Sequence, residues 1–215
     1  MITAADGHTL DAYRAAPAGT PRGAIVVVQE IFGVNGHIRR VTDGFAQDGY
    51  VAIAPAMFDR IARGVELPYT AVAEGRAYKA KITPEMAMLD VEAAVRAVAS
   101  AGRVGVVGYC WGGFVTWLAS ARAEGIACAV PYYGGGMLEH ADLEPRVPVM
   151  GHFGRRDPIL PIDKVEQLIA KHPRHQFFTY DADHGFNCDD RGSYDAAAAS
   201  LARQRTLAFF REHVG

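Results

Sequence analysis

Apolar residues follow two alternating rhythms along this chain. Short unbroken runs at 24–28, 51–54, 103–107, 126–131, 148–153 and 175–180 have the length and β-branched content of buried strands. Between them the spacing becomes helical. Ile38, Val41 and Phe45 form one face of 37–48, which Gly49 stops. Met86, Leu89, Val91, Val95 and Val98 form another in 84–100, after the helix-starting Thr83-Pro84-Glu85. Further helices are expected over 111–123, 161–171 and 194–212, the last carrying Leu201, Leu207, Phe209 and Phe210. At the N-terminus, 8–14 is expected to pair with 2–4 in a hairpin closing at Asp6-Gly7. Residues 56–82 are the least regular, with one short helix expected from 69 or 70 to about 81, and such an excursion is where a loop-built site or lid sits. Strand alternating with helix predicts an α/β fold, a mostly parallel sheet with helices on both faces, in a single domain over 1–215.

Composition narrows the function classes. A net charge of −2 gives no electrostatic reason to expect nucleic acid or an anionic membrane as partner. No apolar run is long enough to span a bilayer. Three cysteines, 110, 128 and 188, make neither a regular framework nor a C-x-x-C pair, and the first residues lack the basic and apolar regions of a signal peptide. A cytoplasmic enzyme or binding domain acting on a small molecule is the expectation.

The candidate chemistry centres on Gly108-Tyr109-Cys110-Trp111-Gly112-Gly113, set between a strand and a helix. A G-x-nucleophile-x-G turn strains its central residue and lifts that side chain above the C-terminal edge of the sheet. A helix N-terminus then favours the thiolate. The competing reading is an inert cysteine in a tight turn. Glu30, Cys110, Asp157 and His184 each follow a different predicted strand, so the fold gathers them at one edge. Their order is nucleophile, acid, histidine. Cys110 would attack a carbonyl carbon, His184 would pair with the thiolate and later activate water, and Asp157 would orient the ring. Asp181 and Asp183 are rivals for the acid role, and with His184 they match no defensible metal-ligand spacing. Backbone N–H groups of Ile31 and Trp111 would form an oxyanion hole. Among the other histidines, His152 is assigned to the core, and His172 and His175 to solvent-exposed polar positions. A carboxylate at Glu30, facing the cysteine, would disfavour the thiolate by like-charge repulsion or share its proton; the alternative is a solvated strand-end glutamate.

Gln29-Glu30-Ile31-Phe32-Gly33, the cysteine elbow, Gly154-Arg155-Arg156-Asp157 and Asp183-His184-Gly185-Phe186 together resemble the dienelactone hydrolases (carboxymethylenebutenolidases) of the α/β-hydrolase fold, over nearly the whole chain. The resemblance implies hydrolysis of an enol-lactone such as dienelactone to maleylacetate, in bacterial breakdown of chloroaromatics, by a monomer without metal or organic cofactor. It implies that Glu30 holds the resting cysteine as a thiol until substrate displaces it, and that Tyr78 lines the site, with Phe32 a further substrate-binding candidate. It also marks a departure. The two family positions whose arginines grip a substrate carboxylate are Glu74 and Cys188 here, leaving Arg76 and Arg191 as candidate substitutes. The expectation is a cysteine hydrolase of lactones or esters. A carboxylesterase for small uncharged esters is the runner-up, and a non-catalytic binding or thiol-redox protein is the alternative of another class.

Overall fold

The computed structural model describes residues 1–215. Its strands are β1 (Ile2–Thr3), β2 (Thr9–Leu10), β3 (Ala12–Ala15), β4 (Ala24–Val28), β5 (Val51–Pro55), β6 (Val104–Tyr109), β7 (Cys128–Tyr132), β8 (Met150–Gly154) and β9 (Gln176–Tyr180). Its helices are α1 (Gly36–Gln47), α2 (Val72–Lys79), α3 (Pro84–Val98), α4 (Trp111–Arg122), α5 (Ile162–Lys171) and α6 (Ala196–His213). Seven strands form one sheet in the order β3-β5-β4-β6-β7-β8-β9. All its pairings are parallel except that of the edge strand β3 with β5.

The strands read as apolar runs because both sheet faces are covered. Along β4, Ala24, Val26 and Val28 point to a core shared with α3 and α4, while Ile25 and Val27 point to a second core shared with α1, α5 and α6. Each aliphatic side chain buried in these layers contributes about 1.5–3 kcal/mol relative to exposure. Helix starts are satisfied locally: Asn35, Thr83 and Asp195 accept from the N–H groups of Ile38, Met86 and Ala198. Pro131 interrupts the ladder between β7 and β8. Ala129 and Tyr133 donate to Pro148 and His152, and the proline between them has no N–H to give.

Three expectations are corrected. The N-terminal pairing is divided: Ile2 and Thr3 pair with Leu10 and Thr9 in a separate two-stranded sheet, and 12–15 crosses into the main sheet. Asp11 makes the bend, its N–H donating to Asp59 Oδ2 at 2.8 Å and its carbonyl accepting from Ala56. The helix of the excursion is shorter than expected, Val72–Lys79, because Pro68 and Tyr69 lead into it rather than belong to it. His172 is buried, with Nε2 at 2.8 Å from the Ala141 carbonyl oxygen and its ring edge-on to Trp117.

Candidate active site

The turn from β6 into α4 is strained at one residue. Cys110 has φ +54° and ψ −114°, unusual for a side chain with a Cβ. The flanking glycines show why the turn is so tight. A Cβ on Gly108 would lie 2.1 Å from the Gly112 carbonyl oxygen, and one on Gly112 would lie 2.3 Å from that of Val28. Strand, helix and neighbouring strand therefore touch backbone to backbone, which holds the Cys110 side chain out at the helix N-terminus. Cys110 is partly exposed, whereas Cys128 and Cys188 are buried, and all three are free thiols.

The loops after β8 and β9 bring the other two groups together. His184 Nδ1 lies 2.7 Å from Asp157 Oδ2, and the other carboxylate oxygen accepts from the N–H groups of Ile159 (2.8 Å) and Leu160 (3.2 Å). Both side chains are buried. Asp157 rather than its rivals meets the ring: Asp181 is exposed and pairs with Arg156, and Asp183 accepts from the backbone N–H of His184. Burial works against the imidazolium, but Asp157 and the neighbouring Cys110 outweigh it and push the His184 pKa up to about 10. His184 Nε2 has no hydrogen-bond partner.

Cys110 and His184 open onto a cavity of about 410 Å³ whose lining is half apolar. Ile31, Phe32 and Trp111 line it. The Ile31 N–H donates to no acceptor, and Trp111 is the first residue of α4, so its N–H is an orphan donor of the helix start. Arg76, Lys79 and Arg191 also reach the cavity. Arg191 is half-buried, with Nη1 at 3.2 Å from Glu30 Oε1 and its guanidinium 5.7 Å from the centre of the Tyr69 ring. Glu30 is buried and its Oε2 has no partner, so it is not a solvated strand-end residue. It lies behind the cavity wall rather than in it.

Tyr78 is not brought to the cavity. On α2 the inward positions are Val72, Arg76 and Lys79, and Tyr78, two residues from Arg76, falls on another side of the helix. Its ring stacks on Phe58 at 5.2 Å, and Phe58 in turn stacks on Trp111 at 5.5 Å, so Tyr78 supports the elbow from behind. Glu74 and Cys188 do not line the cavity either, whereas Arg76 and Arg191 do. Lys79, Phe114, His140, Ile159 and Leu160 line it without having been singled out in the sequence. Of these, Lys79 had a signal, being one turn from Arg76.

One cluster has metal-ligating chemistry: donor atoms of His37, Cys188 and Asp189 lie within 4.8 Å of one another. Its groups are already engaged. Asp189 Oδ1 is 2.9 Å from His37 Nδ1 and accepts from Arg40 at 3.1 Å, while burial and Glu30 push the Cys188 thiol up to about 12. A protonated thiol and an ion-paired carboxylate fit an anchor for the loop after His184 better than a cation site.

A mostly parallel sheet bearing a strained cysteine at a strand-to-helix turn, with an Asp–His pair beside it, defines an α/β-hydrolase. The chain belongs to the dienelactone hydrolase family, whose family model matches residues 10–214. It is 36% identical to a carboxymethylenebutenolidase of Pseudomonas putida over 97% of this chain and 93% of that protein. It is 35% identical to a putative carboxymethylenebutenolidase of Synechocystis over 87% of this chain and 85% of that one. Among solved structures, a putative dienelactone hydrolase from Klebsiella pneumoniae superposes with a TM-score of 0.88 at 31% identity, covering 99% of this chain and 98% of that one. A dienelactone hydrolase-like promiscuous phosphotriesterase from metagenomic libraries shares the fold, with a TM-score of 0.79 at 20% identity over 100% of this chain and 97% of that one. The protein is a hydrolase acting on carboxylic esters, which removes the binding and redox alternative. No helix is long and apolar enough to cross a membrane.

Proposed function

We propose that this protein opens lactones or cleaves esters that carry a carboxylate, by way of a thioester on Cys110, with dienelactone to maleylacetate as the leading reaction. The observation that carries the reading is the His184–Asp157 pair at 2.7 Å with His184 Nε2 free, beside a strained, accessible cysteine. The Cys110 thiolate, paired with the His184 imidazolium that Asp157 keeps protonated, attacks the carbonyl carbon. Charge developing on the carbonyl oxygen is met by the N–H groups of Ile31 and Trp111. The ring or ester oxygen leaves and is protonated by the imidazolium, and the thioester remains. Neutral His184 then draws a proton from water, which attacks the thioester and frees Cys110. Asp157 holds the ring in one tautomer throughout.

Arg76, Lys79 and Arg191 give the cavity an excess of positive charge over its one acidic lining residue, Glu139. An anionic substrate fits that field. A carboxylate that draws Arg191 away also frees Glu30, which holds the resting cysteine as a thiol, to take the thiol proton, so the nucleophile forms when substrate is present. A second reading, an esterase for small uncharged esters, is favoured by the engagement of Arg191 with Glu30 and by the apolar half of the lining.

The test is steady-state hydrolysis of cis- and trans-dienelactone beside p-nitrophenyl acetate, in wild type and Arg76→Ala. The expected result is a higher kcat/KM for dienelactone and a selectivity over the uncharged ester that drops about tenfold in the variant, the worth of one charge-assisted hydrogen bond. Turnover of the uncharged ester alone would establish the second reading.

A further inference from the structure

Residues 31–33, the turn leaving β4, are covered by the excursion between β5 and α3, and the cover is backbone on backbone at three points. Leu67 N–H donates to the Phe32 carbonyl oxygen at 2.9 Å. Gly33, at φ +80°, passes so close under Val65 that a Cβ on it would lie 1.9 Å from the Val65 carbonyl oxygen. Gly75, the one buried residue of α2, rests on Ile31: a Cβ there would lie 2.2 Å from the Ile31 carbonyl oxygen and 3.2 Å from its Cγ1. Glycine is among the poorest helix formers, so its place in the middle of an eight-residue helix needs a reason. The close approach to Ile31 supplies one, because any other residue would lift α2 off the turn.

The carbonyl that Gly75 touches belongs to Ile31, which lines the cavity and whose N–H donates to no acceptor. Two peptide planes meet at the Ile31 Cα, and with one of them held by α2 only φ and ψ of Ile31 itself remain to aim the other. We propose that α2 is the back-stop of the oxyanion hole and that Gly75 is the positioning residue that sets the Ile31 N–H. This inference rests on the oxyanion role of Ile31 in the proposed function. It also explains why the excursion is built as a helix at this point. Arg76 and Lys79 enter the cavity from the same eight-residue piece, so the grip on the substrate and the seat of the oxyanion hole are one rigid unit.

The test is Gly75→Ala assayed with p-nitrophenyl acetate, whose acyl group offers no charge to Arg76 or Lys79, beside the rate of Cys110 alkylation by iodoacetamide. Alkylation is a displacement at saturated carbon and builds no oxyanion. The expected result is a fall in kcat of about 10²-fold, the cost of losing one oxyanion donor, with KM within about threefold of wild type and an unchanged alkylation rate. A second variant covers the case in which the alanine prevents folding: Ala73→Gly with Ala77→Gly loosens α2 from its exposed face and adds no atom near Ile31. It is expected to lower kcat in the same direction and to leave alkylation alone. Wild-type kcat in a folded Gly75→Ala protein, or in the double-glycine variant, would overturn the inference. So would a parallel loss of alkylation, which would show that the nucleophile rather than the hole had moved. Cys110→Ala separates the two levels: ester hydrolysis that survives it defeats the nucleophile reading, whereas Cys110-dependent turnover indifferent to α2 defeats only the back-stop.

Discussion

At the scale of the residue, the catalytic histidine and its acid are charges held where water screens them little. His184 and Asp157 are both buried, and their pairing has a definite pH signature. The His184 pKa is about 10 in the folded protein and about 6.5 in the unfolded chain. A raised histidine binds more proton folded than unfolded, so its stabilisation is complete below the unfolded value and is lost as pH rises toward 10. Asp157→Asn removes the partner and keeps the oxygen that accepts from Ile159. The expected outcome is a urea midpoint well below wild type at about pH 6, with a gap that narrows as the pH approaches 10; a gap constant across that range would contradict the assignment. Glu30 makes a second residue-scale claim. If it holds the resting thiol, Glu30→Gln should move the midpoint of iodoacetamide alkylation against pH to lower pH, because a neutral amide no longer repels the thiolate. An unmoved profile would remove Glu30 from the mechanism.

At the scale of the element, the loops carrying the site are fixed by a few buried polar ties. The start of the 56–82 excursion is held by Arg60, whose Nε and Nη2 donate to Asp90 on α3 at 2.8 Å each, and whose Nη1 donates to Asp6 at 2.8 Å in the N-terminal hairpin. Both side chains of the Arg60–Asp90 pair are buried, and burial pushes the Asp90 carboxyl up against the pull of Arg60. Arg60→Ala therefore strands a buried carboxylate and should cost about 3–5 kcal/mol in urea unfolding, while Arg60→Met with Asp90→Leu should lie much closer to wild type. Equal losses in the two variants would mean that packing, not charge, holds this corner. The same scale explains what sequence reading missed. Tyr78 was expected in the pocket and lies behind it because on a short helix two positions reverse the facing. The burial of His172 depends on Trp117 and Ala141, which only the tertiary fold brings to it. The seat of Gly75 on Ile31 leaves no periodic trace, since a glycine adds nothing to an apolar stripe.

At the scale of the whole molecule, the sheet order does most of the gathering. Cys110 follows β6, at the centre, while Glu30, Asp157 and His184 follow β4, β8 and β9, so their convergence was legible once the strands were read as parallel. The strand runs were legible because both faces of the sheet are covered, and the edge strand β3 was less so because only four residues, half-buried or exposed, define it. Cation placement was legible only in part: the departures at Glu74 and Cys188 stood out, yet which arginines replace them depended on how α2 and the loop after His184 lie over the cavity. The central claim is that this arrangement makes Cys110 the nucleophile. The most direct measurement is rapid quenching of His184→Ala mixed with p-nitrophenyl acetate, followed by peptide mass analysis. The account predicts slow formation of an acyl adduct on the peptide containing Cys110, one that water does not clear because the imidazole is missing. An adduct on another residue, or ester turnover that continues in Cys110→Ala at the wild-type rate, would contradict it.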